Sequence, residues 1–169
     1  MIPSPISAAT YWHRSLNPSK LLDVGFSSKP ANIPIARYNK MQKIPPHQVL
    51  DGLRPMTSKD VKQVHKLLNK YLQDFTLHIQ FTADEVSHFF VPRDNVVESY
   101  VIENKGVITD FMSFYSLPSS ILKHPSHSTL HVAYSYYNVA KTVELKDIMH
   151  NVLHLAKEKG YDVFNCLDV

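Results

Sequence analysis

Two runs of strand-forming residues, 96–103 and 107–117, constrain the fold of this chain more than any other feature of its sequence. Both are rich in β-branched and aromatic residues, and only Asn104-Lys-Gly106 separates them. A short linker with Asn and Gly is typical of a tight turn between antiparallel strands, because both residue types adopt left-handed backbone conformations. The sequence therefore predicts a β-hairpin, and the apolar content of its second strand predicts that this strand is buried.

Helical patterns precede the hairpin. Residues 53–56 are a short strand candidate, and Thr57-Ser-Lys-Asp60 has the form of a capping box with Asp in place of the usual Glu. Apolar residues then recur at helical spacing, which predicts an amphipathic helix of about 18 residues. A second short helix is predicted from Thr82, bounded by Pro92. The apolar positions of the longer helix are Val61, Val64, Leu67, Leu68, Tyr71, Leu72 and Phe75.

A strand, a helix and a strand are predicted after the hairpin. Residues 129–137 form the first strand candidate, and a helical pattern begins at Leu145 and ends at Lys157, Lys159 and Gly160. Residues 162–167 form the last strand candidate, so the helix makes a crossover that is expected to be right-handed.

The first 51 residues differ from the rest. They hold most of the prolines, and apolar residues at period 2 or 3.6 are few outside residues 20–26. We predict a connecting strap with little regular structure over 1–51 and one folded unit over 52–169.

Composition excludes several function classes. The chain has 169 residues, 44% hydrophobic and 20% charged, with a net charge of +3, as expected for one ordinary globular domain. No apolar run is long enough to cross a membrane, and no basic helix interleaved with aromatics suggests a nucleic-acid surface. Cys166 is the only cysteine, so no internal disulfide can form and a reducing, cytoplasmic location is expected.

The sequence predicts neither a metal site nor a nucleophilic catalytic site. His124-Pro-Ser-His127 with His131 is the densest group among ten histidines, but no carboxylate or cysteine accompanies it at ligand spacing. The sequence favours a solvated loop there. It contains no Gly-x-Ser-x-Gly elbow and no Walker loop.

Hydroxyl-bearing and aromatic residues gather where two predicted strands end. Such a surface suits an extended peptide or another weakly polar ligand, which it would hold by directional hydrogen bonds and aromatic walls. The alternative is ordinary alternation of sheet faces with tyrosine tips in solvent. The residues are Ser113, Tyr115, Ser116 and Ser119 in one strand and Tyr134, Ser135, Tyr136 and Tyr137 in the next.

The order of the predicted elements resembles that of GNAT-type N-acetyltransferases. That resemblance implies an α+β fold with a mixed, mainly antiparallel sheet flanked by helices. Enzymes of this type bind the pyrophosphate of acetyl-CoA on backbone amides in a glycine-rich loop between the fourth strand and the next helix. The corresponding residues here, 137–144, include no glycine and end in Glu144. A CoA site at this junction, and with it a stand-alone acetyltransferase, is therefore not expected.

Longer strings resemble one family specifically. Tyr11-Trp-His-Arg-Ser-Leu-Asn-Pro18, Asp110-Phe-Met-Ser-Phe-Tyr-Ser-Leu-Pro-Ser119, Ala133-Tyr-Ser-Tyr-Tyr-Asn-Val139 and Gly160-Tyr-Asp-Val-Phe-Asn165 are similar to the eukaryotic glycylpeptide N-myristoyltransferases, particularly plant forms. The similarity runs in register over nearly the whole chain.

This resemblance implies a site and a division of labour. The family consists of two GNAT-like halves, of which the first holds myristoyl-CoA and the second supplies most of a peptide groove. The chain corresponds to the strap and an incomplete second half, so no catalytic residue or cofactor contact is expected within it. By resemblance, five residues line the peptide groove: Tyr11, His13, Phe26, Ser119 and Tyr134.

Two functions follow from the resemblance. The first is transfer of myristate from myristoyl-CoA to the N-terminal glycine of proteins. The second is a truncated, catalytically inactive copy that keeps only part of the peptide groove, since the carboxylate of Val169 is at the wrong point in the family's topology to act as the base. In either case we expect N-terminal-glycine peptides as partners. Association through surface left without its partner half, such as Leu21, Leu22 and Phe26, is also expected.

Overall fold

The computed structural model describes residues 8–46 and 48–168, which form eight strands and five α-helices. The strands are β1 (Thr10–Ser15), β2 (Leu53–Pro55), β3 (Val97–Asn104), β4 (Val107–Ser116), β5 (Ser119–Ser120), β6 (Thr129–Leu130), β7 (Val132–Val139) and β8 (Val163–Asp168). The α-helices are α1 (Pro18–Asp23), α2 (Ile35–Met41), α3 (Val61–Leu72), α4 (Ala83–Phe90) and α5 (Leu145–Glu158), and a 3₁₀ turn (Ser58–Asp60) leads into α3.

Six strands form one sheet in the order β1-β8-β7-β4-β3-β2. All neighbours are antiparallel except β7 and β8, which run parallel and are joined through α5. The predicted α+β class with a mixed, mainly antiparallel sheet flanked by helices is therefore confirmed. The short strands β5 and β6 form a separate two-stranded sheet.

The predicted hairpin is present between β3 and β4. Asn104 pairs with Val107, which leaves Lys105 and Gly106 as the two residues of the turn. Their φ angles are +50° and +80°, as a turn of this type requires when it connects strands with a right-handed twist.

Hydrophobic residues fill both faces of the sheet, because successive side chains of a strand point to opposite sides. In β4, Phe111 packs with α3 and α4, whereas Met112 and Phe114 pack with α5. All three are fully buried. This double burial explains why apolar residues of β4 occupy both faces of the sheet rather than one.

Ser113 is the exception within that buried run. The register of β4 against β7 shifts between Met112 and Phe114, and Ser113 lies at this irregularity with no exposure. Its hydroxyl donates to the Tyr137 carbonyl at 2.8 Å and accepts from the Tyr137 amide at 3.0 Å. The irregularity removes backbone ladder bonds at this point, and the Ser113 hydroxyl takes their place. Ser113 therefore supports the sheet from inside and is not on its surface.

The first 51 residues contain more regular structure than predicted. Within the described residues they supply β1, which pairs with β8 along all six residues, and the helices α1 and α2. The prediction of an irregular strap is therefore wrong for these segments. Local composition could not show β1, because this strand is stabilised by pairing with β8, about 150 residues further along the chain. Residues 1–7 and 47, also part of the predicted strap, lie outside the described residues, as does Val169, and the boundary at residue 52 stays a prediction.

Asp162 fixes this N-terminal segment to the sheet. Its buried carboxylate accepts hydrogen bonds from Lys20 Nζ at 2.6 Å, Asn17 Nδ2 at 3.0 Å and the backbone amide of His131 at 2.9 Å. Leu21 is buried beside these contacts against β6, β7 and β8. The expectation that Leu21 is left without an apolar partner is therefore wrong.

No helix in the described ranges has the length and apolarity needed to cross a membrane.

The predicted capping box before α3 is also present. The Asp60 carboxylate accepts from the Thr57 amide at 2.7 Å and from both terminal nitrogens of Arg54 at 2.8 Å. The hydrogen bonds from Arg54 lower the pKa of Asp60 to about 2, with further lowering by Thr57 and against the effect of burial. Asp60 therefore remains ionised over the whole physiological range.

We expect Asp60→Asn to lower the free energy of unfolding at pH 7 by about 2 kcal/mol. Because the folded pKa lies below the ordinary value of about 3.9, the contribution is complete above pH 4 and is lost as the pH falls towards 2. Urea unfolding of both proteins from pH 7 to pH 2.5 measures this. The exposed Asp74→Asn is the matched control, and a deficit in Asp60→Asn that stays constant with pH would contradict the account.

Candidate functional site

A groove of about 680 Å³ opens where β7 and β8 separate. Their ladder ends at the pair Tyr134 and Asn165, although β7 continues to Val139 and β8 to Asp168. Beyond that point β8 pairs with β1 and β7 pairs with β4. The aromatic residues that line the groove are Tyr11, Phe89, Tyr115, Tyr134, Tyr136 and Tyr137, and its polar residues include Arg93, Ser116, Ser135 and Asn165.

The aromatic rings form a continuous series across the groove. Tyr11 lies 6.3 Å from Tyr134, measured between ring centroids, and Tyr134 stacks on Tyr115 at 5.3 Å. Tyr115 then meets Tyr136 edge-on at 5.4 Å, and Tyr136 meets Tyr137 at 4.9 Å. These distances are within the range of favourable ring pairs, so the series forms a firm wall before any ligand binds.

The hydroxyls of Tyr11, Tyr136 and Tyr137 are neutral donors at physiological pH. Burial, a hydrogen bond with Tyr134 and the nearby hydroxyl of Tyr115 raise the pKa of Tyr11 to about 12. Burial also raises the pKa of Tyr136 and of Tyr137. A phenol with a raised pKa keeps its proton, so these groups suit hydrogen bonding to a ligand better than proton removal.

His13 and Phe26 extend the aromatic series beyond Tyr11. The ring of His13 is 5.1 Å from that of Tyr11 and 6.0 Å from that of Phe26. His13 Nδ1 lies 2.7 Å from Asn165 Oδ1. Because this oxygen only accepts, we assign the proton to Nδ1, which leaves Nε2 as an acceptor.

Ser119 occupies a different position from the other four predicted site residues. It lies in β5, where it pairs with Leu130 of β6, and it is exposed. It is not among the residues that line the groove. The structure thus brings Tyr11, His13, Phe26 and Tyr134 into one series and leaves Ser119 outside it. A role in peptide binding stays a prediction for all five.

The histidine loop meets a carboxylate that sequence spacing did not show. Asp23, at the end of α1, has Oδ2 at 3.5 Å from His124 Nε2 and 3.3 Å from His127 Nε2. His124 Nδ1 accepts two backbone amides, which places its proton on Nε2, toward Asp23. Within the described residues no three His, Cys, Asp or Glu side chains are arranged to hold a metal ion.

The junction between β7 and α5 holds an internal carboxylate. Asp110 Oδ1 accepts the backbone amides of Lys141 at 2.6 Å and Thr142 at 2.7 Å, and Oδ2 accepts the Thr142 hydroxyl. Burial alone would raise the pKa of Asp110, but hydrogen bonds from Thr142, Thr109 and these amides lower it overall. The two amides are therefore not available to a bound phosphate, and these residues do not fit a CoA pyrophosphate.

Comparison with known proteins gives the family. The family model described as "Myristoyl-CoA:protein N-myristoyltransferase, C-terminal domain" matches residues 23–169. The chain belongs to this family. Glycylpeptide N-tetradecanoyltransferase 2 of Bos taurus is 44% identical over 170 residues, which cover all of this chain and 34% of the relative. Glycylpeptide N-tetradecanoyltransferase 1 of Arabidopsis thaliana is 46% identical over all of this chain and 39% of the relative.

A solved N-myristoyltransferase structure agrees with the fold. The Saccharomyces cerevisiae enzyme with bound myristoyl-CoA superposes with a TM-score of 0.88 at 32% identity, over 99% of this chain and 43% of the yeast chain. This chain thus spans about a third to two fifths of the length of its N-myristoyltransferase relatives.

Sequence reasoning missed Asn165, Arg93 and Phe89. Asn165 had a signal, because an amide in the otherwise apolar strand Val163-Phe-Asn-Cys-Leu167 requires a partner when buried. Arg93 and Phe89 had none, since their place at the groove follows from how α4 packs on the sheet.

Asp110→Asn tests the internal carboxylate. The Asn oxygen can still accept from the Lys141 and Thr142 amides, but it is neutral, and its amide nitrogen replaces the Oδ2 that accepts the Thr142 hydroxyl. Because hydrogen bonds to a charged acceptor are stronger, we expect a loss of about 2 kcal/mol in the free energy of unfolding. Urea titration measures the loss. Asp147→Asn, in the first turn of α5, controls for removing one negative charge near the same helix end. Equal stability of Asp110→Asn and the unsubstituted protein would contradict this role.

Proposed function

We propose that this chain provides the peptide-binding groove of a protein N-myristoyltransferase, which transfers myristate from myristoyl-CoA to an N-terminal glycine. The observation that carries the proposal is the groove between β7 and β8, with its series of stacked tyrosines. It combines apolar walls with neutral hydroxyl and amide groups, as recognition of an uncharged main chain requires.

The backbone of β7 supports an extended ligand. Beyond Tyr134, the side of β7 that faces β8 has no ladder partner among the described residues, while its other side pairs with β4. Free amide and carbonyl groups on a strand edge can accept a peptide as an additional strand. Tyrosine side chains beside that edge would then contact alternate side chains of the peptide.

The donor thioester is proposed to lie outside the β7–α5 junction. Asp110 takes the amides of Lys141 and Thr142, and Glu144 precedes α5, so a phosphate there would meet negative charge. In the transfer, the neutral glycine nitrogen forms a bond to the thioester carbon and the carbon–sulfur bond breaks. The proton that the nitrogen loses goes to the sulfur, so CoA leaves as the thiol. The amine must be neutral to attack. We do not assign the removal of its proton to Tyr11, Tyr136 or Tyr137, because the raised pKa of each hydroxyl keeps it protonated.

The proposed location is the cytoplasm. Cys166, the sole cysteine of the chain, is a free thiol, as suits a reducing compartment.

Variants at Tyr134 test the groove. We expect Tyr134→Phe to weaken binding of a glycine-initiated octapeptide about three- to tenfold, because one hydroxyl hydrogen bond is lost. Tyr134→Ala should weaken binding further, because it also interrupts the stacked rings. Isothermal titration calorimetry with the complete chain measures both, and Tyr38→Phe, on α2, serves as the control.

Recognition of the peptide's N-terminal amine requires a second comparison. The same octapeptide with an acetylated N-terminus should bind more weakly if the groove recognises a free glycine amine. Wild-type affinity in both Tyr134 variants would remove the groove from the proposal. Heat of binding on titration of acetyl-CoA that is weakened by Lys141→Glu but unchanged in Tyr134→Ala would instead favour a CoA site at the junction.

A further inference from the structure

One charged side chain lines an otherwise uncharged groove. Of the described residues that surround the space between β7 and β8, only Arg93 carries a charge, and the others are aromatic, aliphatic, hydroxyl or amide side chains. Arg93 is itself exposed, so it stands at the solvent side of the groove and, among the described lining residues, is the one charge that would attract an anionic group of a ligand.

The backbone holds Arg93 in a defined place. Its amide donates to the Val97 carbonyl at 2.9 Å, and its carbonyl accepts from the amides of Val96 at 2.9 Å and Val97 at 3.1 Å. Asn95 completes this turn with a φ of +59°. These three backbone hydrogen bonds fix the Cα of Arg93 at the edge of the groove, from which its long side chain can reach a bound peptide.

Arg93 also has no internal partner for its guanidinium. Arg54 is bound by Asp60 and Glu103, and Arg14 donates to the carbonyls of Gln42 and Lys43. The side chain of Arg93 makes no hydrogen bond or ion pair with any described residue. Its five donors are therefore available to a ligand, in the planar arrangement that matches a carboxylate.

We propose that Arg93 is a specificity-determining residue that selects peptides with an acidic side chain where the bound chain passes the turn between α4 and β3. This inference rests on the proposed function, since it assigns a preference within the same groove. The recognised group is a carboxylate on the peptide, held by the guanidinium at the rim of an aromatic wall. A neutral peptide binds the same groove without this contact.

The test is a scan of one glycine-initiated octapeptide, with Glu or Gln placed at each position in turn from the second residue onward. Affinities are measured by calorimetry with the complete chain and with Arg93→Gln, Arg93→Lys and Arg37→Gln. Arg37 is the matched control, because it lies on α2, outside the groove, and its replacement removes the same charge.

We expect one or two adjacent positions at which Glu binds about three- to tenfold more tightly than Gln. Arg93→Gln should abolish this ratio, Arg93→Lys should retain part of it, and Arg37→Gln should leave it unchanged. The ratio should fall at 0.5 M salt, because exposed charge pairs are screened.

The outcomes separate this inference from the proposed function. If neutral peptides bind and the ratio of Glu to Gln affinities is one at every position, the Arg93 inference is overturned while the groove stands. A Glu preference that survives in Arg93→Gln also overturns it. If no glycine-initiated peptide binds, the proposed function fails and the inference fails with it.

Discussion

The pairing of β1 with β8 is the interaction on which the site depends. Without it, Tyr11 and His13 would lie on a free segment, and the groove would have only the wall formed by β7 and β4. Six consecutive residues pair, from Thr10 opposite Asp168 to Ser15 opposite Val163. Because side chains alternate along a strand, this register directs Tyr11 and His13 to one face and sets them beside Tyr134 and Asn165.

A buried charge secures that register. The carboxylate of Asp162 precedes β8 and binds Lys20 and Asn17 from the N-terminal segment, while its backbone carbonyl accepts the amides of Leu16 and Asn17. A slip of one residue would turn the aromatic side chains to the opposite face and also break these contacts. The same carboxylate therefore contributes to stability and to the geometry of the groove.

Local patterns were sufficient to predict the three helices and the longer strands from Gly52 onward. The helix α3 has 12 residues where about 18 were expected, and the short strand β5 and the break between β6 and β7 were not predicted. The hairpin turn at Lys105 and Gly106, the capping box at Thr57 and the end of α5 near Gly160 each follow from neighbouring residues, so the sequence contains their signal. β1 was missed because a strand of six residues is stabilised by its partner and not by its own composition.

The site was predicted in part, for the same reason. The tyrosine and serine residues at the strand ends could be identified from the sequence, but which of them line the groove and which lie elsewhere could not. Ser113 supports an irregular ladder inside the sheet, and Ser119 lies in a separate short sheet, whereas Tyr134 lines the groove. His13 has Asn165 as its partner and His124 has Asp23, and each partner is more than 100 residues away in sequence.

The β7–α5 junction and the groove between β7 and β8 differ in what they leave open. At the junction after β7, the backbone amides that could bind a phosphate are already held by Asp110. Between β7 and β8, strand edge and tyrosine side chains are available to a ligand. This contrast supports the proposal that the groove binds the ligand, and family membership is the reason for the ligand class that the proposal names.

Residue-resolved nuclear magnetic resonance tests this assignment most directly. A glycine-initiated peptide is titrated into the isotopically labelled chain, and the shifts of backbone amides are followed. The account predicts that the largest changes cluster at Tyr11, Tyr115, Tyr134 and Asn165, with Lys141 and Thr142 unaffected. Changes centred on Lys141 and Thr142, or no changes along β7 and β8, would contradict it.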